Sequence, residues 1–209
     1  MILCSTDNMQ IDWPGTQTWH LASTSDCVMT PYHLNFSSGE IYWLQGNNGV
    51  GKSTWMRVFS GLLPRLGSIS WSSDLGSQMQ RSHYLLSLTR DAGVTVDLAV
   101  QQEYFLRCGH VISHSHLAEW LHAFNLTHVR FMDCVDLSSG QKRRLQLMSL
   151  LYSKAPLWLL DEPYTHLDDD GRSLLEGLIS SHVARGGVVV MTGHESCSLR
   201  CHAIVLSRR

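Results

Sequence analysis

Short apolar runs alternate along the chain with segments in which apolar residues recur at helical spacing. The runs at residues 41–44, 157–160, 188–191 and 203–206 predict strands, and residues 68–71 are predicted to form a further short strand. The helical spacing predicts helices over residues 53–63, 117–124, 145–152 and 174–179. Strands that alternate with helices favour a mostly parallel sheet, so we expect an α/β protein.

The middle of the chain departs from this alternation. Amphipathic helical spacing prevails there, and we predict a helical lobe inserted into the core over about residues 83–154. Residues 1–14 end at a proline followed by glycine and are predicted to form a short N-terminal tail. The remaining span, residues 15–209, is expected to form one functional domain.

The composition limits the class of protein. The chain has 209 residues, a formal net charge of −2 and 16% charged residues, below the usual figure of about 25%. This balance excludes a basic nucleic-acid-binding module, an acidic tail protein and a disordered chain. No apolar stretch approaches the roughly 20 residues of a membrane-spanning helix, and the first residues lack a secretory signal. The six cysteines are scattered, so we expect a reducing compartment.

A phosphate-binding pattern, G-x-x-x-x-G-K-[ST], matches residues 46–54 (GNNGVGKST). It follows a predicted strand and begins a predicted helix. Glycines allow backbone N–H groups to converge on phosphate oxygens, and a helix N-terminus favours an anion. We predict that Lys52 contacts the β- and γ-phosphates and that the Ser53 hydroxyl ligates Mg²⁺. The predicted ATP-binding residues are Gly46, Asn47, Asn48, Gly49, Val50, Gly51, Lys52, Ser53 and Thr54.

Two carboxylates, Asp161 and Glu162, directly follow the predicted strand 157–160. In a parallel sheet the carboxyl ends of the strands form the ligand-binding edge. We predict that Asp161 holds Mg²⁺ and that Glu162 orients or deprotonates the attacking water. A solvated strand end before the turn at Pro163 is the simpler interpretation of the pair alone, but the phosphate-binding loop upstream favours a catalytic one.

Further motifs stand around this pair. LSSGQ (137–141) begins a predicted helix, YTHLD (164–168) follows the pair, and His194 comes after the strand 188–191. In this order, the motifs make the sequence resemble the ATPase subunits of ABC transporters, over nearly the whole chain. The family carries its signature, D-loop and switch histidine at these places. The basic run 142–144 after the signature is expected to be a solvated helix face.

The resemblance implies a P-loop NTPase (RecA-like) core with a mostly parallel sheet, an antiparallel β portion and an inserted α-helical subdomain. It implies two composite ATP sites in a head-to-tail dimer, with Mg²⁺ as cofactor and an integral membrane permease, not nucleic acid, as partner. It also implies catalytic roles for Glu162 and His194, with His194 on the γ-phosphate, and makes Asp168 the D-loop aspartate. The signature residues, which contact the ATP of the opposite subunit, are Ser138, Ser139, Gly140 and Gln141.

Two stretches narrow the resemblance to the heme exporter ATPases of cytochrome c maturation, the CcmA family. They are LWLLDEPYT (157–165) and GLLPRLGSISW (61–71). The narrower resemblance implies ATP hydrolysis coupled to heme export in c-type cytochrome biogenesis, with a CcmB-like permease. The expected location is peripheral, on the cytoplasmic face of the inner membrane or the matrix side of an organelle inner membrane.

The chain departs from the ABC family pattern at several positions. No Gln stands near Leu86 or Ser87, where most members carry the Gln that coordinates Mg²⁺ and senses the membrane subunit. Ser23 and Thr24 occupy the region where many members stack adenine on an aromatic ring. Within the motifs, Ser139 replaces glycine, His166 replaces a small residue and Gly193 replaces threonine.

Other functions remain as alternatives. These are the ATPase of another ABC exporter, a soluble ABC-type ATPase acting on nucleic acid or ribosomes, and a nucleotide-binding regulator without hydrolysis. Glu162 and His194 argue against the regulator, and the net charge offers no phosphate-binding stripe for nucleic acid. Two histidine and cysteine clusters match zinc-ligand spacing poorly. Solvated polar residues at a helix N-terminus are the favoured interpretation of the first cluster, and in the second His194 is already assigned to the phosphate. Their members are His110, His114 and His116, and His194, Cys197, Cys201 and His202.

Overall fold

The structure, a computed structural model, describes residues 2–10, 19–23, 34–62, 66–71, 85–88, 98–108, 113–193 and 198–208. The strands of these residues, in chain order, are β1 (Ile2–Gln10), β2 (Trp19–Ser23), β3 (Leu34–Ser37), β4 (Ile41–Gln45), β5 (Leu66–Trp71), β6 (Leu85–Leu88), β7 (Leu157–Leu160), β8 (Val188–Thr192) and β9 (His202–Arg208). The α-helices are α1 (Lys52–Ser60), α2 (Val100–Cys108), α3 (His114–Ala123), α4 (Ser139–Leu147) and α5 (Asp169–Ala184).

A six-stranded sheet with the order β2-β9-β4-β8-β7-β6 forms the centre of the fold. All its neighbouring strands are parallel except β2 and β9, which are antiparallel. The mostly parallel sheet expected from the alternation of strands and helices is therefore confirmed. Strands β4, β7 and β8 carry continuous apolar runs, because parallel strands in the middle of a sheet are buried on both faces. The run at 203–206 lies in β9, and the predicted strand 68–71 lies in β5, outside this sheet.

One face of this sheet packs against α1. Leu159 of β7 and Val190 of β8 belong to a buried cluster with Trp55 and Phe59 of α1, whose rings stack with centroids 4.9 Å apart. Burying a large apolar side chain stabilises a fold by about 1.5–3 kcal/mol, so this cluster fixes the helix to the sheet. The helix ends at Gly61, whose φ of +82° is the left-handed conformation that glycine adopts readily.

The opposite face of β7 presents Trp158, which stacks on His182 near the end of α5. Their ring centroids are 3.8 Å apart and the planes differ by 10°. His182 Nε2 donates a hydrogen bond to the carbonyl oxygen of Pro156 over 3.2 Å. The backbone of Gly187 lies so close that an added Cβ would be 2.2 Å from His182 Nε2. This packing buries the imidazole, and the loss of water around it lowers the pKa of His182.

A second sheet is antiparallel and has the order β3-β1-β5. Its central strand, β1, occupies residues 2–10, within the interval 1–14 where the sequence predicts a tail. Ser5 of β1 pairs with Asn35 of β3 and with Ser70 of β5. These partners lie far along the chain, so no local pattern near the N-terminus could indicate the pairing.

The chain divides into two compact units. The core unit comprises residues 1–89, 154–163 and 180–209, and the helical unit comprises residues 90–153 and 164–179. The interval of about 83–154 that the sequence predicts for a helical lobe begins with β6, which pairs with β7 in the central sheet. The remainder of that interval contains α2, α3 and α4.

Aromatic rings organise the helical unit. Tyr104 of α2 meets Trp120 of α3 and Tyr152 edge to face, at centroid distances of 5.8 and 6.0 Å. Leu117 and Leu121, which carry the helical spacing in α3, are fully buried. None of the helices formed by the described residues combines the length and hydrophobicity needed to cross a membrane.

Acidification should destabilise the fold through His182. Because the pKa of His182 is lowered from the ordinary 6.5, the unfolded chain takes up a proton at a higher pH than the folded protein does. The stabilisation is therefore complete above about pH 6.5 and is lost as the pH falls through the lowered pKa. We expect a His182→Gln variant to show a smaller drop in Tm between pH 7.5 and 5.5 than the wild type, measured by thermal unfolding. The matched control is His122→Gln at an exposed position of α3; an equal drop in Tm for all three proteins would contradict this assignment.

Candidate active site

Three strands that precede predicted motifs lie side by side in the central sheet. β8 lies between β4 and β7 and pairs in parallel with both. At the carboxyl ends, Leu44 pairs with Thr192 and Leu160 pairs with Met191. The loop 46–51 and the acidic pair therefore begin at the same edge of the sheet, which is where parallel sheets bind ligands.

The loop 46–51 has a backbone that requires glycine. Gly46 has φ +151°, and a Cβ added there would lie 2.5 Å from the carbonyl oxygen of Leu206 and 2.8 Å from Val50 Cγ1. Gly51, at φ +109°, precedes the first residue of α1. The N–H group of Val50 donates to the Asn47 carbonyl over 3.1 Å and closes the loop. The loop is thus a tight turn from strand to helix, as the sequence pattern requires.

Lys52 folds back over this loop. Its ammonium donates to the carbonyl oxygens of Gly46 at 2.7 Å and Asn47 at 3.3 Å, and its side chain is buried. Among the described residues, no side chain caps the N-terminus of α1 by a hydrogen bond. A buried cation beside a helix N-terminus without a side-chain cap gives the loop the electrostatics of an anion site.

The acidic pair is held in an unusual conformation. Asp161 is 2% exposed, and Glu162 has φ +47°, the left-handed region. A side chain in that region costs about 1–3 kcal/mol, and a residue before a proline, here Pro163, normally adopts an extended backbone. The turn therefore needs tertiary support.

That support includes Thr192, the last residue of β8, which sequence reasoning missed. Its hydroxyl donates to Asp161 Oδ1 over 2.6 Å and accepts the Glu162 N–H over 2.9 Å. The only signal available in the sequence is a hydroxyl residue at the end of a strand that would have to neighbour β7. Strand order is not visible in one sequence, so the contact could not be inferred.

Gly193, the residue after β8, is one of the departures from the family pattern, and its surroundings explain it. A Cβ at Gly193 would lie 2.8 Å from Cζ2 of the Trp43 ring. The indole of Trp43, on the neighbouring strand β4, thus fills the space that a threonine side chain would need. His194, predicted to contact the γ-phosphate, lies outside the described residues.

The predicted signature begins α4 in the helical unit. Ser138 Oγ accepts the Gln141 N–H over 3.2 Å, and Gln141 Oε1 accepts the Ser138 N–H over 2.8 Å, a capping box. Ser138 and Ser139 are exposed. A Cβ at Gly140 would lie 3.1 Å from the His166 carbonyl, so the predicted D-loop passes close to the signature helix.

Arg144 links the same helix to the predicted D-loop aspartate. Its Nη2 donates to both carboxylate oxygens of Asp168, and its Nη1 donates to the carbonyl of Phe124 over 3.2 Å. The bond from Arg144, aided by the Gly171 N–H, lowers the pKa of the Asp168 carboxyl. The expectation that residues 142–144 form a solvated face is wrong here, because Arg144 is paired and Arg143 is buried.

The residues predicted to hold Mg²⁺ supply suitable donors. Ser53 offers a hydroxyl in the first turn of α1, and Asp161 offers a buried carboxylate; Mg²⁺ prefers such hard oxygen ligands. Within the described residues, no group of three or more His, Cys, Asp and Glu side chains could hold a metal. Of the two clusters weighed above, His110, His194 and Cys197 lie outside the described residues.

Two positions where family features are missing can be placed. Leu86 and Ser87 lie inside β6, beside β7 in the sheet. Ser23 is the last residue of β2, whereas Thr24 lies outside the described residues.

Comparison with known proteins agrees with this geometry. Residues 29–165 match the family model of the ABC transporter. Two solved structures share the fold. The first is an ABC transporter ATP-binding protein from Pyrococcus furiosus, with a TM-score of 0.75 and 17% sequence identity, and the match covers 97% of this chain and 96% of that one. The second is an ATP-binding subunit of an ABC transporter, with a TM-score of 0.71 and 21% sequence identity, and the match covers 91% of this chain and 79% of that one. The chain therefore belongs to the ABC transporter family of ATPases, and the P-loop NTPase fold is confirmed.

Similarity to curated relatives places the chain more closely within this family. The chain is 36% identical over 173 residues to the cytochrome c biogenesis ATP-binding export protein CcmA of Xanthomonas oryzae, covering 80% of this chain and 79% of the relative. It is 31% identical over 175 residues to the CcmA protein of Mannheimia succiniciproducens, covering 80% and 81%. Within the ABC family, the chain is thus a CcmA-type ATPase subunit, as the stretches 61–71 and 157–165 predict.

Substitution of Gly46 tests the loop. We expect Gly46→Ala to lower ATP affinity at least about tenfold, because the methyl group would meet the Leu206 carbonyl and displace the loop. Affinity is measured by titration with a fluorescent ATP analogue. The control is Gly177→Ala in α5, where an added Cβ meets no atom within 4 Å. It should keep wild-type affinity and stabilise the helix by about 0.5–1 kcal/mol. Wild-type affinity in Gly46→Ala would refute the assigned role of the loop.

Proposed function

We propose that this chain is the Mg²⁺-dependent ATP-hydrolysing subunit of an ABC exporter complex that serves c-type cytochrome biogenesis. The observation that carries the proposal is the arrangement of β4, β8 and β7. Their parallel pairing brings the loop 46–51 and the carboxylates Asp161 and Glu162 to one edge of the sheet. Membership of the CcmA-type ATPases supports the coupling to export.

ATP binding would use the loop 46–51 and the start of α1. The β- and γ-phosphates are the ligands that suit a buried lysine beside a helix N-terminus. Lys52 now donates to two backbone carbonyls, and phosphate oxygens would replace these acceptors. Backbone N–H groups of the loop and of the first turn would supply the remaining donors.

Hydrolysis would proceed by attack of water on the γ-phosphorus, with ADP and inorganic phosphate as products. Glu162 would accept a proton from that water, and Lys52 would stabilise the negative charge on the phosphate oxygens. Ser53 and Asp161 would hold Mg²⁺, which neutralises phosphate charge when bound. His194 would donate a hydrogen bond to the γ-phosphate and help to place the water.

The signature would act on a second copy of the chain. Ser138 and Ser139 are exposed at the beginning of α4, where backbone N–H groups of a first turn attract an anion. Facing the phosphates of the opposite subunit, Ser138, Ser139, Gly140 and Gln141 would complete its ATP site in a head-to-tail dimer. Asp168, fixed by Arg144, would hold the D-loop at the same interface.

A membrane permease would complete the complex. The names of the relatives describe ATP-binding export proteins of cytochrome c biogenesis, so we propose a CcmB-like integral partner and heme export as the process served. The chain would then lie at the cytoplasmic face of the inner membrane, or on the matrix side of an organelle inner membrane. Without a Gln near Leu86 and Ser87, the contact with the permease would depend on other residues.

Replacement of Glu162 tests the chemistry. We expect Glu162→Gln to lower kcat for ATP hydrolysis by about 10²–10⁴-fold, because the amide cannot accept the proton of the attacking water. ATP affinity should stay near the wild-type value, and ATP should drive dimerisation, measured by light scattering. Glu119→Gln, at an exposed position of α3, is the control and should hydrolyse ATP normally. Wild-type turnover in Glu162→Gln would remove the assigned role of this residue.

Isolation of the membrane complex tests the partner. We expect an affinity-tagged chain, purified from detergent-solubilised membranes of its source, to retain an integral subunit of c-type cytochrome assembly, identified by mass spectrometry. Recovery of an unrelated permease would support the assignment as a transport ATPase but contradict the role in c-type cytochrome biogenesis. Recovery without any integral membrane protein would overturn the coupling itself.

A further inference from the structure

We propose that Thr192 is a positioning residue that sets both carboxylates of the candidate active site; the inference rests on the proposed function. One hydroxyl oxygen contacts both members of the pair. It donates its proton to Asp161 Oδ1 over 2.6 Å and accepts the backbone N–H of Glu162 over 2.9 Å. A hydroxyl has one proton to donate and two lone pairs to accept, so a single side chain can make both bonds.

The bond to Asp161 fixes the direction of that carboxylate. The Thr192 hydroxyl uses its only proton on Asp161 Oδ1, and carboxylate oxygens are among the hard ligands that Mg²⁺ prefers. Thr192 is fully buried and Asp161 is 2% exposed, so water competes little for this bond. Thr192 therefore holds Asp161 in the orientation from which it would contact the metal ion.

The bond to Glu162 acts through the backbone. Glu162 has φ +47° and precedes Pro163, a position at which the chain would otherwise favour an extended conformation. An acceptor for its N–H stabilises the left-handed conformation. Relaxation toward the extended conformation would redirect the side chain, and displacing a catalytic group by about 1 Å can cost about 10²-fold in rate.

Thr192 itself is fixed by the strand register. It ends β8 and pairs with Leu44 of β4. Leu44 lies two residues before Gly46, the first residue of the loop 46–51. Its branched Cβ restricts the side-chain rotamer, so the hydroxyl position follows from the backbone. Thr192 thus links the strand that leads into the loop with the turn that carries both carboxylates.

The test compares Thr192→Val with Thr192→Ser in the purified full-length chain. Valine keeps the shape and removes the hydroxyl, so we expect kcat for ATP hydrolysis to fall about 10–100-fold and the half-saturating Mg²⁺ concentration to rise. The affinity for ATP in EDTA, which reports the loop alone, should stay within about threefold of wild type. Thr192→Ser should recover most of the kcat and the Mg²⁺ dependence.

A control on the same strand separates positioning from stability. Val190→Ala, in the buried core of β8, lowers the Tm without touching either carboxylate. At temperatures equally far below each Tm, it should keep a near-normal kcat and Mg²⁺ dependence. The inference is overturned if Thr192→Val keeps wild-type kcat, if Val190→Ala loses as much, or if serine fails to rescue.

A failure of the proposed function would look different. If the wild-type chain hydrolyses no ATP, the proposed function fails, and Thr192 is judged from binding. The ratio of ATP dissociation constants in EDTA and in Mg²⁺ should then be smaller in Thr192→Val than in the wild type. An unchanged ratio would overturn the role of Thr192 in that case as well.

Discussion

The parallel pairing of β8 with both β4 and β7 is the constraint on which the candidate site depends. Backbone hydrogen bonds set Leu44 opposite Thr192 and Leu160 opposite Met191, so three strands end at one level. A slip of one residue would turn each side chain of β8 to the opposite face of the sheet. Thr192 would then lose its bonds to Asp161 and to the Glu162 N–H, and its fully buried hydroxyl would be left without them. The cost of burying an unpaired hydroxyl therefore favours the register that the site needs.

Strain is concentrated where the chain turns away from this edge. In the part of the chain that the structure describes, Glu162 and His166 are two of the three residues other than glycine with positive φ. They lie on either side of residues 163–165, Glu162 in the acidic pair and His166 in the predicted D-loop. The conformation of Glu162 is supported at the sheet edge by the hydrogen bond from its N–H to the Thr192 hydroxyl. Gly193 at this edge is constrained by space, because the ring of Trp43 leaves no room for a side chain there.

Local patterns predicted most of the core, because burial on both faces gives strands such as 157–160 and 188–191 continuous apolar runs. Each helical interval contains or overlaps a helix of the structure. β1 was missed, since its residues are mixed in polarity and its partners in β3 and β5 lie far along the chain. The ion pair of Arg144 with Asp168 joins positions 24 residues apart, so a basic run alone could not reveal it.

By itself, the sequence determined the class of protein and predicted the chemistry of its motifs. Glycines, a lysine and a strand ending in two carboxylates are local features that backbone geometry and nucleotide chemistry demand at fixed spacing. Only the tertiary structure decided the order of the strands, the left-handed conformation of Glu162 and the contacts of Thr192. Those contacts bring together residues 30 and 31 positions apart, and their geometry depends on which strand lies beside which, a choice made by the packing of the whole sheet.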